Sequence, residues 1–205
     1  MKPPATLGLD VSRETKHRLE IYIDLLTRWN KKINLVSPNT LPEVWTRHVL
    51  DSAQLLSLSR QTSGSWVDLG SGGGFPGMVV AILTAEEKPD IQVTMVESDQ
   101  RKSAFLRTVA RETGLTIHVK SERIENTKLP PATIVSARAL APLNTLLGFV
   151  EQHIAPDGKA LLPKGAQWEE EVATAKESWS FTSKVHKSKT NQDAVILEIG
   201  EISHV

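Results

Sequence analysis

The stretch from 66 to 77, WVDLGSGGGFPG, joins a short apolar run to an acid and then places five glycines within eight positions. Glycines between a strand and a helix permit positive φ and let a ligand approach the backbone closely. The N-terminus of the following helix adds unpaired N–H groups and the positive end of a helix dipole. The turn therefore predicts a site for a small polar or anionic ligand. The alternative is that the glycines only make a tight turn.

An acid, Glu97, stands at the tip of the next predicted strand, in TMVESD. A carboxylate there is placed to accept two hydrogen bonds from a ribose diol, unless it is only a solvated strand-end acid. Dinucleotides and S-adenosylmethionine both suit this geometry. The dinucleotide fingerprint needs Gly or Ala where this chain has Phe75. Asp68, two residues before the first glycine, is typical of the methyltransferase version of the turn, which favours S-adenosylmethionine.

The elements that must position these residues alternate between strand and helix from residue 66 onwards. Seven strands are predicted at 66–70, 91–97, 115–120, 132–137, 159–163, 181–187 and 193–200, and helices near 76–86, 100–113, 142–154 and 167–178. This alternation predicts an α/β fold with a parallel sheet and helices on both faces. The two consecutive strands at the end predict a hairpin at one edge.

The first 60 residues have a helical pattern instead. Apolar residues recur at helical spacing, at Leu19, Tyr22, Ile23, Leu26 and Trp29. A second helix is predicted from about residue 41. We therefore predict an N-terminal helical extension over 1–60 and a ligand-binding domain over 61–205.

Composition excludes several classes of protein. The chain has 205 residues, no cysteine and a formal net charge of zero. The absence of cysteine excludes disulfides, thiolate-bound zinc and a cysteine nucleophile. Any nucleic-acid partner must be held by a local basic patch, because the chain as a whole is not basic. No membrane span, secretory signal or metal motif is evident, so we predict a cytoplasmic protein that binds no metal.

Seven segments occur in an order that carries a family resemblance. They are WNKKINLVS (29–37), RHVLDS (47–52), VDLGSGGGFPGM (67–78), VESDQRKSAFLR (96–107), SERIE (121–125), SARALAPL (136–143) and LLPKG (161–165). Together they resemble the RsmG/GidB family of bacterial 16S ribosomal RNA guanine-N7 methyltransferases. The glycine turn is common to many methyltransferases, whereas WNKKINL, RHVLDS and SARALAPL are much more specific to this family.

The resemblance implies a class I S-adenosylmethionine-dependent methyltransferase fold, a Rossmann-like seven-stranded sheet with its last strand antiparallel. It implies methylation of one guanine in the decoding-region loop of 16S rRNA, in the small ribosomal subunit. We expect the protein to act as a monomer. The motifs carry cofactor contacts over to Gly70 and Phe75 in the turn, to Ile124 and Glu125 around the adenine, and to Arg138. Glu97 is expected to hold the ribose, and Asp68 and Gly72 complete the predicted cofactor set.

Basic residues after the strands and in the helical extension could contact RNA phosphates. The candidates are Lys31, Lys32, Arg47, His48, Arg101, Lys102 and Lys164. Each could instead be a solvated surface charge. His48 and Asp51, three residues apart on one helix, could serve acid–base chemistry, although a structural hydrogen bond is the more ordinary interpretation.

Methylation at guanine N7 needs no general base, because N7 already carries a free lone pair. Binding and orientation supply much of the rate. Three alternatives stay open: a methyltransferase of the same fold acting on a small molecule or protein, an NAD-dependent oxidoreductase, and a non-catalytic RNA-binding module.

Overall fold

The computed structural model describes residues 9–205. Seven strands form one sheet: β1 (Ser63–Leu69), β2 (Asp90–Val96), β3 (His118–Lys120), β4 (Ala132–Ser136), β5 (Ile154–Lys164), β6 (Trp179–Lys187) and β7 (Val195–His204). Six α-helices accompany them: α1 (Arg13–Asn30), α2 (Asp51–Leu58), α3 (Gly77–Glu87), α4 (Gln100–Thr113), α5 (Leu143–His153) and α6 (Trp168–Ala175). None of the helices described is long and apolar enough to cross a membrane.

The sheet has the order β3-β2-β1-β4-β5-β7-β6. Strands β1 to β5 pair in parallel, and β7 lies antiparallel to both β5 and β6. The fold class and the terminal hairpin predicted from the sequence are thereby confirmed. Strand order reverses between β1 and β4, and in open α/β sheets such a switch point forms a ligand crevice at the carboxyl ends of the strands.

Successive residues of the central strands serve opposite faces of the sheet, as the pleat requires. Trp66, Ile134 and Leu161 pack with the helices that precede β3 in the chain, whereas their neighbours Val67, Val135 and Leu162 pack with α5 and α6. Burial on both faces explains why these strands are continuously apolar in sequence.

The N-terminal helices share the first of these two cores. Helix α1 begins at the cap Ser12, whose Oγ accepts the amide of Thr15 at 3.1 Å, and it packs against α3 and α4. Helix α2 ends at Leu58 and strand β1 begins at Ser63, so the predicted division at residue 60 falls between them. The division into 1–60 and 61–205 stays a prediction.

The second helix predicted from about residue 41 is present but irregular, and its first residues are not α-helical. The segment contains a 3-10 helix (Pro38–Glu43), a π-helical turn (Trp45–Leu50) and then α2. Pro42 lies inside the first of these, and proline there lacks the N–H that a regular helix would use. The π-helical turn places the Arg47 carbonyl and the His48 ring within hydrogen-bond reach of Arg138, which follows β4.

Candidate functional site

The glycine turn follows β1 directly. Gly70, Gly72 and Gly74 have φ of 66°, 53° and 94°, in the left-handed region that favours glycine. A Cβ on Gly70 would also lie 2.6 Å from Cδ1 of Leu140, and one on Gly74 would lie 2.8 Å from the Tyr22 hydroxyl. The turn is therefore closely packed at Gly70 and Gly74 as well as conformationally special, so neither position has room for a side chain.

Asp68 lies behind this turn. Its Oδ1 accepts a hydrogen bond from the Ser136 hydroxyl at 2.7 Å, and its Oδ2 accepts one from the Gly77 amide at 3.2 Å. The side chain is fully buried, and burial raises its pKa to about 6, although these hydrogen bonds oppose the shift. Asp68 does not line the cavity described below, so it supports the turn and the start of α3 from beneath.

Tyr22 supports the turn from the other side. Its buried hydroxyl donates to the Gly73 carbonyl at 2.6 Å, and burial raises the pKa of that hydroxyl well above its usual value. The tyrosine thus stays protonated and remains a donor. Helix α1 and the glycine turn are held together by this bond, which the sequence pattern did not predict.

Glu97 stands opposite the turn at the end of β2. Its Oε2 accepts the Gly72 amide at 2.8 Å and its Oε1 accepts the Asp99 amide at 2.7 Å. Two lone pairs of the carboxylate remain beyond these bonds, because each oxygen has two. The backbone therefore holds Glu97 in place with acceptors to spare for a ligand.

These groups line a cavity of about 660 Å³ at the switch point. Ile124 and Glu125, which belong to a 3-10 turn (Ile124–Asn126), lie on its wall. Leu140 and Phe149 also line the cavity. Of the predicted cofactor set, the cavity is lined by Gly70, Gly72, Phe75, Glu97, Ile124, Glu125 and Arg138. The lining combines apolar side chains with fixed polar groups in about equal measure, which suits a small molecule that has both apolar and polar parts.

Arg138 is the most heavily engaged of these residues. Its Nη1 donates to the Arg47 carbonyl at 3.2 Å and to Asp51 Oδ2 at 3.3 Å, and its Nη2 donates to His48 Nδ1 at 2.7 Å. The guanidinium also lies 5.2 Å from the centre of the Phe75 ring, within cation–π range. The helical extension and the glycine turn therefore meet at this side chain.

His48 is neutral in this setting. Burial, together with the nearby charges of Arg138 and Arg47, lowers its pKa to about 4. Because arginine can only donate, Nδ1 must be the acceptor, and Nε2–H is left to donate to the Thr40 hydroxyl at 2.8 Å. The neutral imidazole is hydrogen-bonded at both ring nitrogens. It therefore orients Arg138 and offers no charge to an RNA phosphate.

A larger open cleft of about 1240 Å³ adjoins the cavity, and the two share Arg138 and the segment 139–141. Its far wall is the loop 188–194 between β6 and β7. Arg47 and Lys164, two of the RNA candidates, line this cleft, whereas Lys102 and His48 line the smaller cavity.

The other RNA candidates differ in their exposure to solvent and in whether their charges are paired with carboxylates. Lys164 is only 8% exposed, and its ammonium contacts Glu171 at 2.6 Å and the Ala141 carbonyl at 3.1 Å, so it stabilises the wall of the cleft.

The remaining candidates are exposed to solvent. Arg101 is largely exposed and contacts Asp99 at 3.3 Å. Lys31 and Lys32 are exposed after α1. Neither lysine is among the residues that line the two cavities in the described part of the chain.

Several residues of the cavity were missed by sequence reasoning, among them Leu35, Val36, Leu140 and Phe149. Leu35 and Val36 close one side of it, because the Asn30 carboxamide oxygen accepts both of their amides, at 2.9 and 3.0 Å. The Asn30 amide nitrogen donates back to the Val36 carbonyl at 3.1 Å. The residue in the sequence that could have indicated this closure is Asn30 of WNKKINLVS, because an asparagine at the end of a helix can bond to the backbone of the following turn. The described chain contains no cluster of three or more His, Asp or Glu suited to a metal ion.

Solved structures support the fold. An O-methyltransferase from Bacillus cereus in complex with SAH superposes with a TM-score of 0.61 at 14% identity, over 94% of this chain and 93% of that chain. The glycopeptide N-methyltransferase MtfA complexed with S-adenosyl-L-methionine gives 0.58 at 13% identity, over 75% and 93% respectively. At such low identity the likeness shows the fold alone.

Sequence relatives are far closer. Two proteins named ribosomal RNA small subunit methyltransferase G are 51% and 50% identical to this chain. The one from Ruegeria pomeroyi matches over all of both chains, and the one from Ruegeria sp. (strain TM1040) over 97% of each. The GidB family model, described as rRNA small subunit methyltransferase G, matches residues 15–197. The resemblance noted in the sequence is thus confirmed, and the chain belongs to the GidB family of small-subunit rRNA methyltransferases.

Proposed function

We propose that this protein transfers the methyl group of S-adenosylmethionine to N7 of one guanine in 16S rRNA, acting on the small ribosomal subunit. One observation carries the assignment beyond family membership. The cavity at the glycine turn opens, at Arg138, into a cleft large enough for a nucleotide. A donor site and an acceptor site that share one wall are what a group transfer between a small molecule and a polymer needs.

The residues present fit the proposed cofactor. The glycine turn has its backbone packed so closely that a Cβ at Gly70 would overlap Leu140. Glu97 keeps free lone pairs for a ribose diol, and Ile124 and Phe149 offer an apolar wall for an adenine. Arg138 supplies a fixed guanidinium for a carboxylate. S-adenosylmethionine, when bound, supplies an activated methyl group on a sulfonium.

The chain's own task is orientation. Guanine N7 has a lone pair in the ring plane and needs no deprotonation, so no side chain has to accept a proton. His48 lies near the junction but is neutral and bonded at both ring nitrogens. We therefore assign it to the positioning of Arg138, and we assign no catalytic base.

RNA is proposed to enter the larger cleft. Arg47 is about half exposed and lines this cleft, and Lys102 lines the cavity beside it. The exposed Lys31, Lys32 and Arg101 are proposed to contact more distant phosphates, which position RNA without reading its sequence. We also propose that the helical extension over 1–60 acts with the domain over 61–205 as one monomeric, cytoplasmic enzyme.

The test is methyl transfer from labelled S-adenosylmethionine to small subunits prepared from a strain that lacks this activity. The modified base is mapped by chain cleavage at N7-methylguanine. Label at a single guanine is the expected result, with Gly70→Ala as the inactive control. Measurable cofactor binding without labelled rRNA would overturn the acceptor and favour a small molecule or protein. Binding of NAD in place of S-adenosylmethionine would overturn the cofactor.

A further inference from the structure

The loop between β6 and β7, residues 188–194, forms the far wall of the larger cleft. Strand β6 runs in the same direction as β5, so this loop lies at the carboxyl edge of the sheet, beside the proposed site. Lys189, Asn191 and Gln192 are exposed and line the cleft. Their ammonium and carboxamide groups are of the kind that contacts phosphates and sugar oxygens in RNA.

The loop is held by polar bonds to the start of α2. The Thr190 hydroxyl donates to Asp51 Oδ1 at 2.8 Å, and the Lys189 amide donates to Gln54 Oε1 at 2.6 Å. The Gln54 Nε2 lies 3.4 Å from the Ser188 hydroxyl oxygen. Gln54 is only 5% exposed, so a buried side chain serves the backbone of a surface loop.

Side chains along the loop alternate in role. Ser188 and Thr190 are half-buried and bond to the helix, whereas Lys189 and Asn191 are exposed. Fixing the first pair therefore orients the second pair.

Asp51 joins this loop to the cofactor side. While Oδ1 accepts Thr190, Oδ2 contacts Arg138 at 3.3 Å. The carboxylate is only 18% exposed, so both contacts are partly shielded from water. One side chain therefore spans the junction between the cavity and the cleft.

We propose that Asp51 and Gln54 are positioning residues that hold the 188–194 loop as an RNA-contacting wall, in register with Arg138. The inference rests on the proposed function, because it assigns part of the RNA surface of that same site. Lys189 contacts a phosphate in this arrangement, and the Thr190 bond keeps it there.

The first experiment tests the contact. Lys189→Ala is compared with Lys187→Ala, an exposed lysine two residues earlier that is not among the cleft-lining residues. Lys189→Ala should raise KM for small subunits several-fold and reduce the slope of log KM against log salt by about 1, with cofactor Kd unchanged. The Lys187 variant should behave like wild type. Equal behaviour of the two variants would overturn the proposal.

The second experiment tests the positioning. Thr190→Val removes one hydroxyl, and Thr182→Val is the matched control, because its hydroxyl bonds to the Gly200 carbonyl in the same hairpin. Thr190→Val should raise KM for subunits about 3- to 10-fold, with little change in kcat. It should also speed hydrogen exchange of the 188–194 amides in the free protein. Unchanged KM and exchange would overturn the role of Asp51, whereas an inactive wild type would instead overturn the proposed function.

Discussion

Replacing Arg138 is the most informative perturbation of the site. Arg138→Ala removes three hydrogen bonds and a cation–π contact, and it leaves the half-buried Asp51 without its cation. A hydrogen bond to a charged group contributes about 1.5–3 kcal/mol, and a cation–π contact between side chains as shielded as Arg138 and Phe75 contributes up to about 2 kcal/mol. Because these contacts belong to one side chain, their contributions do not add, and removing one partner of a shielded ion pair costs about 3–5 kcal/mol. A domain with about 5–15 kcal/mol of stability can remain folded after a loss of that size.

The affinity of the folded Arg138→Ala protein for the cofactor should also fall, because the guanidinium that pairs with the cofactor carboxylate is gone. Loss of one charge-assisted pair to a carboxylate corresponds to about 10- to 100-fold in Kd. Arg138→Lys keeps the charge but not the planar fork that reaches both Asp51 and His48, so its Kd should lie between those of wild type and the alanine variant.

The measurements are calorimetric titration with S-adenosylmethionine and a thermal melt of each variant. Arg101→Ala is the control, because that arginine is largely exposed and is not among the cavity-lining residues of the described chain. If folded Arg138→Ala bound S-adenosylmethionine and methylated subunits as wild type does, the assignment of Arg138 to the site would be refuted.

Three further predictions follow from the turn. Gly70 and Gly114 have nearly the same φ, 66° and 65°, but a Cβ at Gly114 meets nothing within 4 Å. Gly114→Ala should therefore lower the free energy of unfolding by only about 1 kcal/mol in a denaturant melt and leave cofactor binding normal, whereas Gly70→Ala should lose cofactor binding in titration. Asp68 should make the fold less stable as pH rises from 4 to 6, because the folded state keeps a proton until about pH 6 that an unfolded aspartate releases near 3.8. The loss approaches about 3 kcal/mol, and urea melts of Asp68→Asn across this window should show a flatter profile than wild type; identical profiles would contradict it. Tyr22→Phe leaves the Gly73 carbonyl without its buried donor, so a melt should show a loss of about 1–3 kcal/mol in stability and titration should show weaker cofactor binding. An unchanged cofactor Kd would show that the turn keeps its shape without this hydrogen bond from α1.

Much of the site could be predicted because its parts are local in sequence. A strand, a glycine turn and a helix are consecutive, so Gly70 and Gly72 had to lie at a strand end. Glu97 ends the next strand, and parallel pairing of β1 with β2 brings it to the same edge. These placements depend on strand direction alone.

Asp68 shows where motif reasoning stops. It belongs to the motif and was grouped with the cofactor residues, yet its carboxylate faces Ser136 and the Gly77 amide behind the turn. Residues on one short strand end alternate between facing a ligand and facing the core. Sequence spacing alone did not distinguish the two.

The sequence by itself determined the fold class, the family, the ligand turn and the acid opposite it, because periodicity and motif order are properties of neighbouring residues. Only the tertiary structure decided that Leu35 and Val36 close the cavity, that His48 is a neutral partner of Arg138, and that Asp51 reaches Thr190. The last two residues are 139 positions apart. Contacts of that separation depend on how helices and loops pack around the sheet, and no local pattern records that packing.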